Sequence, residues 1–466
     1  MLSAIRVTYR EEMQEIQKKF DAIVIGLGMT GMSFVRHLSE KTTRLGVVDT
    51  RHNPPQLDTL LKEYPDIPFI AGKFDQDLLS SADLLLVSPG VTLSSPAIQA
   101  AIHSGAAISG DIELFLNEAQ APVIAVTGSN GKSTVAKLVS EMIAGSGRKV
   151  LLGGNYGVPA LALLESDVPD FYVLELSSFQ LETLNNVNIA VSTILNISED
   201  HMDRYRNFQE YVSVKGKIFK GEGIKIINLD DPVVCNLVRT DDNVISFTHE
   251  KPEEGSFGVC QVGDIEWICF GNQRILKVSE LQITGRHNLT NSLASLALGN
   301  AIGLEIESMA ESLKQFKGLP HRCETVLKLN NVEWINDSKA TNPGATCAAV
   351  QGLANGENII LIAGGDAKNA DLSSLSDMVK DRVHSAILIG KDADIVERAI
   401  SSQCNIYHAM SLAAAVNTAH RIASSGDIVL LSPACSSLDM FADYMERGDK
   451  FTICVRQLSD NTGPDK

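Results

Sequence analysis

The apolar run Val123-Ile124-Ala125-Val126 breaks directly into Thr127-Gly128-Ser129-Asn130-Gly131-Lys132-Ser133-Thr134, and the residues beyond it read as a helix. A buried strand, a glycine loop and a helix in that order belong in a parallel sheet, with the loop at its carboxyl edge. Backbone N–H groups of such a loop would cradle phosphate oxygens, Lys132 would reach the outer phosphates and Ser133 would ligate Mg²⁺. The ending is that of a Walker A loop, although Val126 stands where the strict spacing has glycine. An ATP site explains this segment better than a chance glycine turn, and it counts against a plain dehydrogenase.

The same rhythm of strand and loop runs through the chain. Residues 22–25, 45–48 and 84–87 read as buried strands of a first block. Residues 123–126, 172–175, 190–195 and 225–228 belong to a second block, and 334–336, 359–363, 386–389 and 428–431 to a third. The stretch 244–283 alternates at short range and is expected to form a small antiparallel patch. Residues 289–301 follow as an amphipathic helix, and Gly318-Leu319-Pro320 has the chemistry of a hinge. At about 150 residues per domain, 466 residues fit three. The expected fold is α/β: an N-terminal extension (1–20), a Rossmann-like domain (21–111), a central P-loop parallel sheet with a small antiparallel patch (112–318) and a C-terminal Rossmann-like domain (319–466).

Composition narrows the function. Apolar residues make up 44 % of the chain and charged ones 21 %, enough for large cores. The net charge of −17 argues against general nucleic-acid binding, which needs a basic surface. No stretch of about 18 uncharged apolar residues marks a membrane span. Residues 1–20 carry Glu11, Glu12, Glu15, Lys18 and Lys19 without an apolar segment, and read as a loosely docked extension rather than a signal peptide. The eight cysteines are scattered without a C-x-x-C pair, as expected of free thiols in a reducing cytoplasm.

Further polar motifs follow the expected strands. Gly26-Leu27-Gly28-Met29-Thr30-Gly31, with Asp49 further on, is a formal dinucleotide fingerprint whose glycines let the backbone approach a diphosphate. Arg51 either faces a nucleotide or is a solvated surface residue. Glu175, ending a strand beside the phosphate loop, is placed as a further Mg²⁺ ligand. His201, in Ser198-Glu199-Asp200-His201-Met202-Asp203-Arg204-Tyr205, can ligate a metal or orient a phosphate, whereas Lys215 has the spacing of an ordinary surface lysine. Asn288 and Asn291 stand one turn apart and can face an adenine, although capping also explains Asn288. Arg322, in Leu319-Pro320-His321-Arg322, is a cation for a transferring phosphate. Asn336-Asp337-Ser338-Lys339-Ala340-Thr341-Asn342, Gly364-Gly365-Asp366-Ala367-Lys368 and Ser432-Pro433-Ala434-Cys435-Ser436-Ser437 all end strands of the third block. There Lys368 and the hydroxyls of Ser436 and Ser437 can hold the carboxylates of a second substrate.

Taken in order, these motifs resemble those of the Mur ligases, from Ile23 to about Arg456. The combination of Gly-Ser-Asn-Gly-Lys-Ser-Thr, Glu-Leu-Ser-Ser-Phe-Gln-Leu-Glu (175–182), Asp-His-Met-Asp-Arg-Tyr, Leu-Pro-His-Arg and Asn-Asp-Ser-Lys-Ala-Thr-Asn carries the resemblance. It implies a cytoplasmic, monomeric ligase that adds D-glutamate to UDP-N-acetylmuramoyl-L-alanine through an acyl phosphate, in peptidoglycan precursor synthesis. The first domain would bind UDP, the second ATP and the third the amino acid.

The resemblance also distributes roles. Gly128, Asn130, Gly131, Lys132, Ser133 and Thr134 would hold ATP and its Mg²⁺, with Glu175 as a further ligand of that ion. His201 and Lys215, the latter carbamylated, would hold a second Mg²⁺. Met29, Thr30, Asp49, Thr50, Arg51 and Ser88 would surround UDP, and Asn155 and His201 would meet the muramoyl part. Asn288, Asn291, Arg322, Asp337 and Lys339 would contact nucleotide and phosphates. Thr341, Lys368, Ser437 and Tyr444 would hold D-glutamate, Tyr444 standing where the family pattern has phenylalanine. Lys132, His201, Lys215 and Arg322 form the implied catalytic set. Two other classes remain to be weighed: an NAD-linked oxidoreductase built on Gly26 to Gly31 and Asp49, and a nucleotide-gated binding module without turnover.

Overall fold

Twenty strands form three sheets among the residues described by the computed structural model, 20–460 apart from Thr43, Asp203, Asp241, Thr284 and Asn369. The expected N-terminal extension lies outside the described residues except for Phe20, which opens the first strand. The first sheet holds β1 (Phe20–Ile25), β2 (Leu45–Asp49), β3 (Phe69–Ala71), β4 (Ala82–Val87) and β5 (Ala107–Ser109), all parallel in the order β3-β2-β1-β4-β5.

The second sheet contains β6 (Val123–Thr127), β7 (Val150–Gly154), β8 (Phe171–Glu175), β9 (Val191–Ile194), β10 (Ile224–Asn228), β11 (Val244–Phe247), β12 (Phe257–Val262), β13 (Ile265–Phe270) and β14 (Gln273–Lys277). Their order is β14-β13-β12-β11-β10-β9-β6-β8-β7. The antiparallel patch is smaller than expected over 244–283. Val244–Phe247 continues the parallel sheet beside β10, and only the pairs β12–β13 and β13–β14 run antiparallel. The third sheet, β15 (Glu324–Leu329), β16 (Val332–Asn336), β17 (Ile359–Gly364), β18 (Val383–Ile389), β19 (Asn405–His408) and β20 (Ile428–Leu431), has the order β15-β16-β20-β17-β18-β19. Only β15 is antiparallel to its neighbour there.

The first two sheets share a core. Val24, Phe34, Ile112 and Phe115 pack in one cluster with Tyr172, Leu174 and Leu181, and Phe115 meets Tyr172 edge-on at 5.0 Å between ring centroids. Burying each such side chain stabilises by roughly 1.5–3 kcal/mol, so the relation between the two sheets is firmly set. The far face of the second sheet is covered by the helices Lys132–Gly145 and Arg286–Ala301. The first of these presents Val135, Leu138, Val139, Met142 and Ile143 to the sheet, a helical spacing of apolar residues. No helix among the described residues is long and apolar enough to cross a membrane.

One glycine in the first loop is dictated by packing. A Cβ on Gly31 would lie 2.0 Å from the carbonyl oxygen of Gly26, whereas one on Gly28 would meet nothing within 4 Å. Gly31→Ala is therefore expected to destabilise by roughly 3 kcal/mol, and Gly28→Ala by less than about 1 kcal/mol, in urea unfolding. Equal effects would mean that the loop is not closed as described.

Candidate active site

The carboxyl edges of the first and second sheets face a shared cavity of about 650 Å³. Seven residues expected to surround the sugar nucleotide line it: Met29, Thr30, Asp49, Thr50, Arg51, Ser88 and Asn155. The glycine loop after β1 forms one wall, tied down by Ser88, whose hydroxyl donates to Gly26 O at 2.7 Å. Asp49 is largely committed to the protein. Its carboxylate accepts from Leu27 N–H (2.7 Å), from Arg51 N–H (2.8 Å) and from the Arg51 guanidinium (2.9 and 2.7 Å). Burial alone would raise its pKa, but the Arg51 hydrogen bonds and the backbone donors outweigh that and hold it below the usual value.

The phosphate loop opposes this wall across Asn155. After β6 the loop is pinned to the end of β9, with Ser129 N–H donating to Asn196 O and Asn130 N–H to Asn196 Oδ1, both at 2.9 Å. Gly131 adopts φ +85°, and a Cβ there would meet Asn291 Oδ1 at 2.3 Å, so only glycine fits. That contact seats Asn291 against the loop, and its amide donates to Asn288 Oδ1 at 3.2 Å.

Glu175, at the end of β8 and 2 % exposed, is held from both sides. It accepts from Ser133 Oγ at 2.5 Å and from Asn155 Nδ2 at 2.7 Å. Arg322, from the segment that opens the third block, donates to the same Ser133 Oγ at 2.8 Å.

Two lysines converge on one carbonyl. Lys132 Nζ donates to Gly128 O and Ser129 O, both at 2.9 Å, and Lys215 Nζ donates to Gly128 O at 2.9 Å and to Thr127 Oγ1 at 3.3 Å. Lys215 is 1 % exposed, with its ammonium 5.0 Å from the centre of the Tyr211 ring, so its surface-lysine spacing is misleading. Burial, and then the like charge of Lys132, push its pKa well below the ordinary lysine value against the pull of Asp200 and Glu175. Lys132 is also lowered, chiefly by burial. His201 sits at φ +57° beside Phe179, 4.7 Å between ring centroids, with Nε2 3.7 Å from Asp200 Oδ2.

The third block contributes a second polar group. Asp337 accepts from Ser432 Oγ (2.8 Å) and Cys323 N–H (3.2 Å), and burial pushes its carboxyl up to about 7. Lys339 lies 4.2 Å from the Tyr444 ring centre, and burial, with Arg322 and Lys132 nearby, pushes it down to about 8. Thr341 N–H donates to Lys339 O at 2.8 Å. The loops of Lys368 and Ser437 are joined by the backbone pairing of Asp366 with Ser436, leaving Lys368 exposed and Ser437 buried.

Sequence reasoning passed over three residues that the geometry brings in. Gln180 lines the cavity. Arg204 ties the two sheets together, donating to Val91 O at 2.9 Å and to both oxygens of Glu182 at 3.1 and 2.7 Å. Asp200 faces Lys132, Lys215 and Lys339 and accepts from Asn342 of the third block at 3.4 Å. All three lie within motifs already singled out, as does Asn342, and only the fold reveals what they touch.

Three family descriptions match successive parts of the chain: Mur ligase MurD-like, N-terminal domain, over 20–110; Mur ligase middle domain, over 126–299; and Mur ligase, glutamate ligase domain, over 321–435. The chain belongs to the Mur ligase family, which displaces the oxidoreductase reading of the first glycine loop. A relative from Nitrosococcus oceani, 46 % identical over 437 residues (94 % of this chain and 96 % of that one), carries the name UDP-N-acetylmuramoylalanine--D-glutamate ligase. So does one from Pseudomonas syringae pv. tomato, 46 % identical over 94 % of this chain and 98 % of its own. Among solved structures, a pseudomurein peptide ligase type C from Methanothermus fervidus superposes with a TM-score of 0.60 at 20 % identity, covering 94 % of this chain and all of the other, a likeness of fold.

Proposed function

We propose that the protein is a cytoplasmic, ATP-dependent ligase that joins D-glutamate to UDP-N-acetylmuramoyl-L-alanine in peptidoglycan precursor synthesis. The observation that carries this reading is the position of Asn155, which lines the large cavity and donates to Glu175 of the phosphate-loop cluster. A sugar nucleotide in the cavity would thereby extend its terminal carboxylate toward the ATP site. In this reading 21–111 takes the sugar nucleotide, 112–318 ATP and 319–466 D-glutamate.

The residues fit a hard divalent cation. Ser133, in the first turn of the helix Lys132–Gly145, and Glu175, at the end of β8, offer oxygen ligands side by side, and both carboxylate oxygens accept from neutral groups. They would hold Mg²⁺ with the nucleotide, and His201 with a carbamylated Lys215 would hold a second ion. When bound, Mg²⁺ neutralises phosphate oxygens during phosphoryl transfer. Lys215 suits the modification because burial, with Lys132 beside it, lowers its pKa and so favours the neutral amine. A neutral amine adds to CO₂ with formation of an N–C bond and loss of a proton, which turns a donor into a carboxylate.

Lys132 would exchange the carbonyls of its own loop for outer phosphate oxygens. Arg322 would add positive charge from the third block as the γ-phosphate passes to the substrate carboxylate. Thr341, Lys368, Ser437 and Tyr444 would hold D-glutamate so that its amine attacks the acyl phosphate. The tetrahedral adduct then collapses to amide and phosphate. Docking of the third block against Ser133 would keep water from the acyl phosphate.

The test is ATP-dependent phosphate release with UDP-N-acetylmuramoyl-L-alanine and Mg²⁺, with D-glutamate, L-glutamate or L-alanine supplied in parallel. Release with D-glutamate alone is expected. Release with L-alanine alone, or with no acceptor at all, would refute the assignment.

A further inference from the structure

Asp111 begins the helix Asp111–Glu118, two residues after the end of β5, on the connection from the first sheet to the second. It is 1 % exposed. One oxygen, Oδ2, accepts from Gln180 Nε2 at 2.8 Å, and the other, Oδ1, has no close side-chain partner, the carboxyl otherwise facing its own backbone N–H and that of Ile112 in the helix's first turn. A buried carboxylate with one close side-chain hydrogen bond costs stability, so a reason for its place lies in what it holds.

Gln180 supplies one. It is 4 % exposed, yet it lines the cavity. Its Oε1 accepts from Ser177 N–H at 3.1 Å and from Ser177 Oγ at 3.2 Å, so the amide nitrogen is turned toward Asp111. An amide nitrogen carries two hydrogens, and the second has no acceptor among the described residues. The two segments are pinned side by side. A Cβ on Gly110 would lie 2.1 Å from Thr183 Oγ1, and Glu113 accepts from the backbone N–H groups of Asn185 (2.6 Å) and Asn186 (3.3 Å). Asp111 therefore meets the Gln180 amide in one fixed orientation.

We propose that Asp111 is a positioning residue for the sugar-nucleotide substrate: it locks Gln180 so that one amide hydrogen is presented to an acceptor oxygen, a carbonyl or hydroxyl, of the ligand in the cavity. The inference rests on the reading of that cavity as the UDP-N-acetylmuramoyl-L-alanine site. Without the carboxylate only the Ser177 donors hold the amide, through its oxygen, and its nitrogen loses the partner that fixes where the second hydrogen points. Burial pushes the Asp111 carboxyl up to about 6, so it remains a charged acceptor at pH 7.5.

Steady-state kinetics of the full chain test this, with each substrate varied at saturating levels of the others at pH 7.5. Absence of turnover in the unaltered protein would overturn the substrate reading itself. With turnover established, Asp111→Ala is expected to raise KM for the sugar nucleotide about tenfold, with kcat and the KM values for ATP and D-glutamate within about twofold. Asp111→Asn, whose amide oxygen accepts the same hydrogen, should restore that KM to within about twofold. Gln180→Ala should match Asp111→Ala, and the double variant should be no worse than either, as for two residues acting through one contact. A rise shared by all three KM values, an unchanged KM, or additive losses in the double variant would overturn the proposal. If Asp111→Ala does not fold, Gln180→Ala and Asp111→Asn decide it by the same criteria.

Discussion

Lys132→Ala is expected to lower D-glutamate-dependent phosphate release about a thousandfold or more. Lys132 is the cation on the loop that would face the outer phosphates, and losing such a charge in a low-dielectric site removes transition-state stabilisation of about 4 kcal/mol. The fold should tolerate the change, because Gly128 O keeps Lys215 as a donor. Removal of one of two adjacent lysines also relieves their mutual repulsion. ADP formation at saturating substrate, compared with far-UV circular dichroism of the same samples, separates the two effects. A folded variant with more than about a tenth of the parent rate would sink the assignment of Lys132 to the phosphates.

The second large effect concerns Lys215. Lys215→Met should lower turnover at least about a hundredfold while leaving the thermal unfolding midpoint unlowered. At a pH between its lowered pKa in the fold and the ordinary 10.5, a buried amine is neutral in the fold and protonated in the unfolded chain. Between those two values the unfolded state binds the extra proton, so the stability contributed by this group is complete above the unfolded pKa and is lost as pH falls toward the folded one. Methionine escapes that loss. Its midpoint, relative to the parent, should therefore rise as the pH is lowered from 10 to 7. The parent should also lose activity when CO₂ is purged and regain it with bicarbonate, and the methionine variant should respond to neither. A variant that keeps its activity would exclude a carbamate at this position.

The strands that sequence reading missed share one property. Phe69–Ala71, Ala107–Ser109, Val150–Gly154, Glu324–Leu329 and Asn405–His408 all lie at the edges of their sheets. An edge strand is covered on fewer sides: none of these five is buried along its length and the first two are only three residues long, whereas interior strands such as Ile359–Gly364 are buried throughout. The candidate site divides in the same way. Residues on glycine loops after interior strands were legible because the loop chemistry is local.

Lys215 was not legible from spacing, since only the helix Phe208–Gly216 docking under the phosphate loop buries it. The pairing of Arg322 with Ser133 spans 189 positions and is a product of how the third block sits on the second. Asp49 shows the converse. Its spacing suggested a ligand contact, yet most of its hydrogen-bonding capacity serves Leu27 and Arg51.

The single side chain of Asn155 touches both the cavity and Glu175. If a ligand in the cavity alters how firmly Asn155 holds that carboxylate, it alters the carboxylate's affinity for a cation by some factor. Thermodynamic reciprocity then requires the cation to change the cavity ligand's affinity by the same factor. A dissociation constant measured at one of the two sites is thus defined only together with the occupancy of the other.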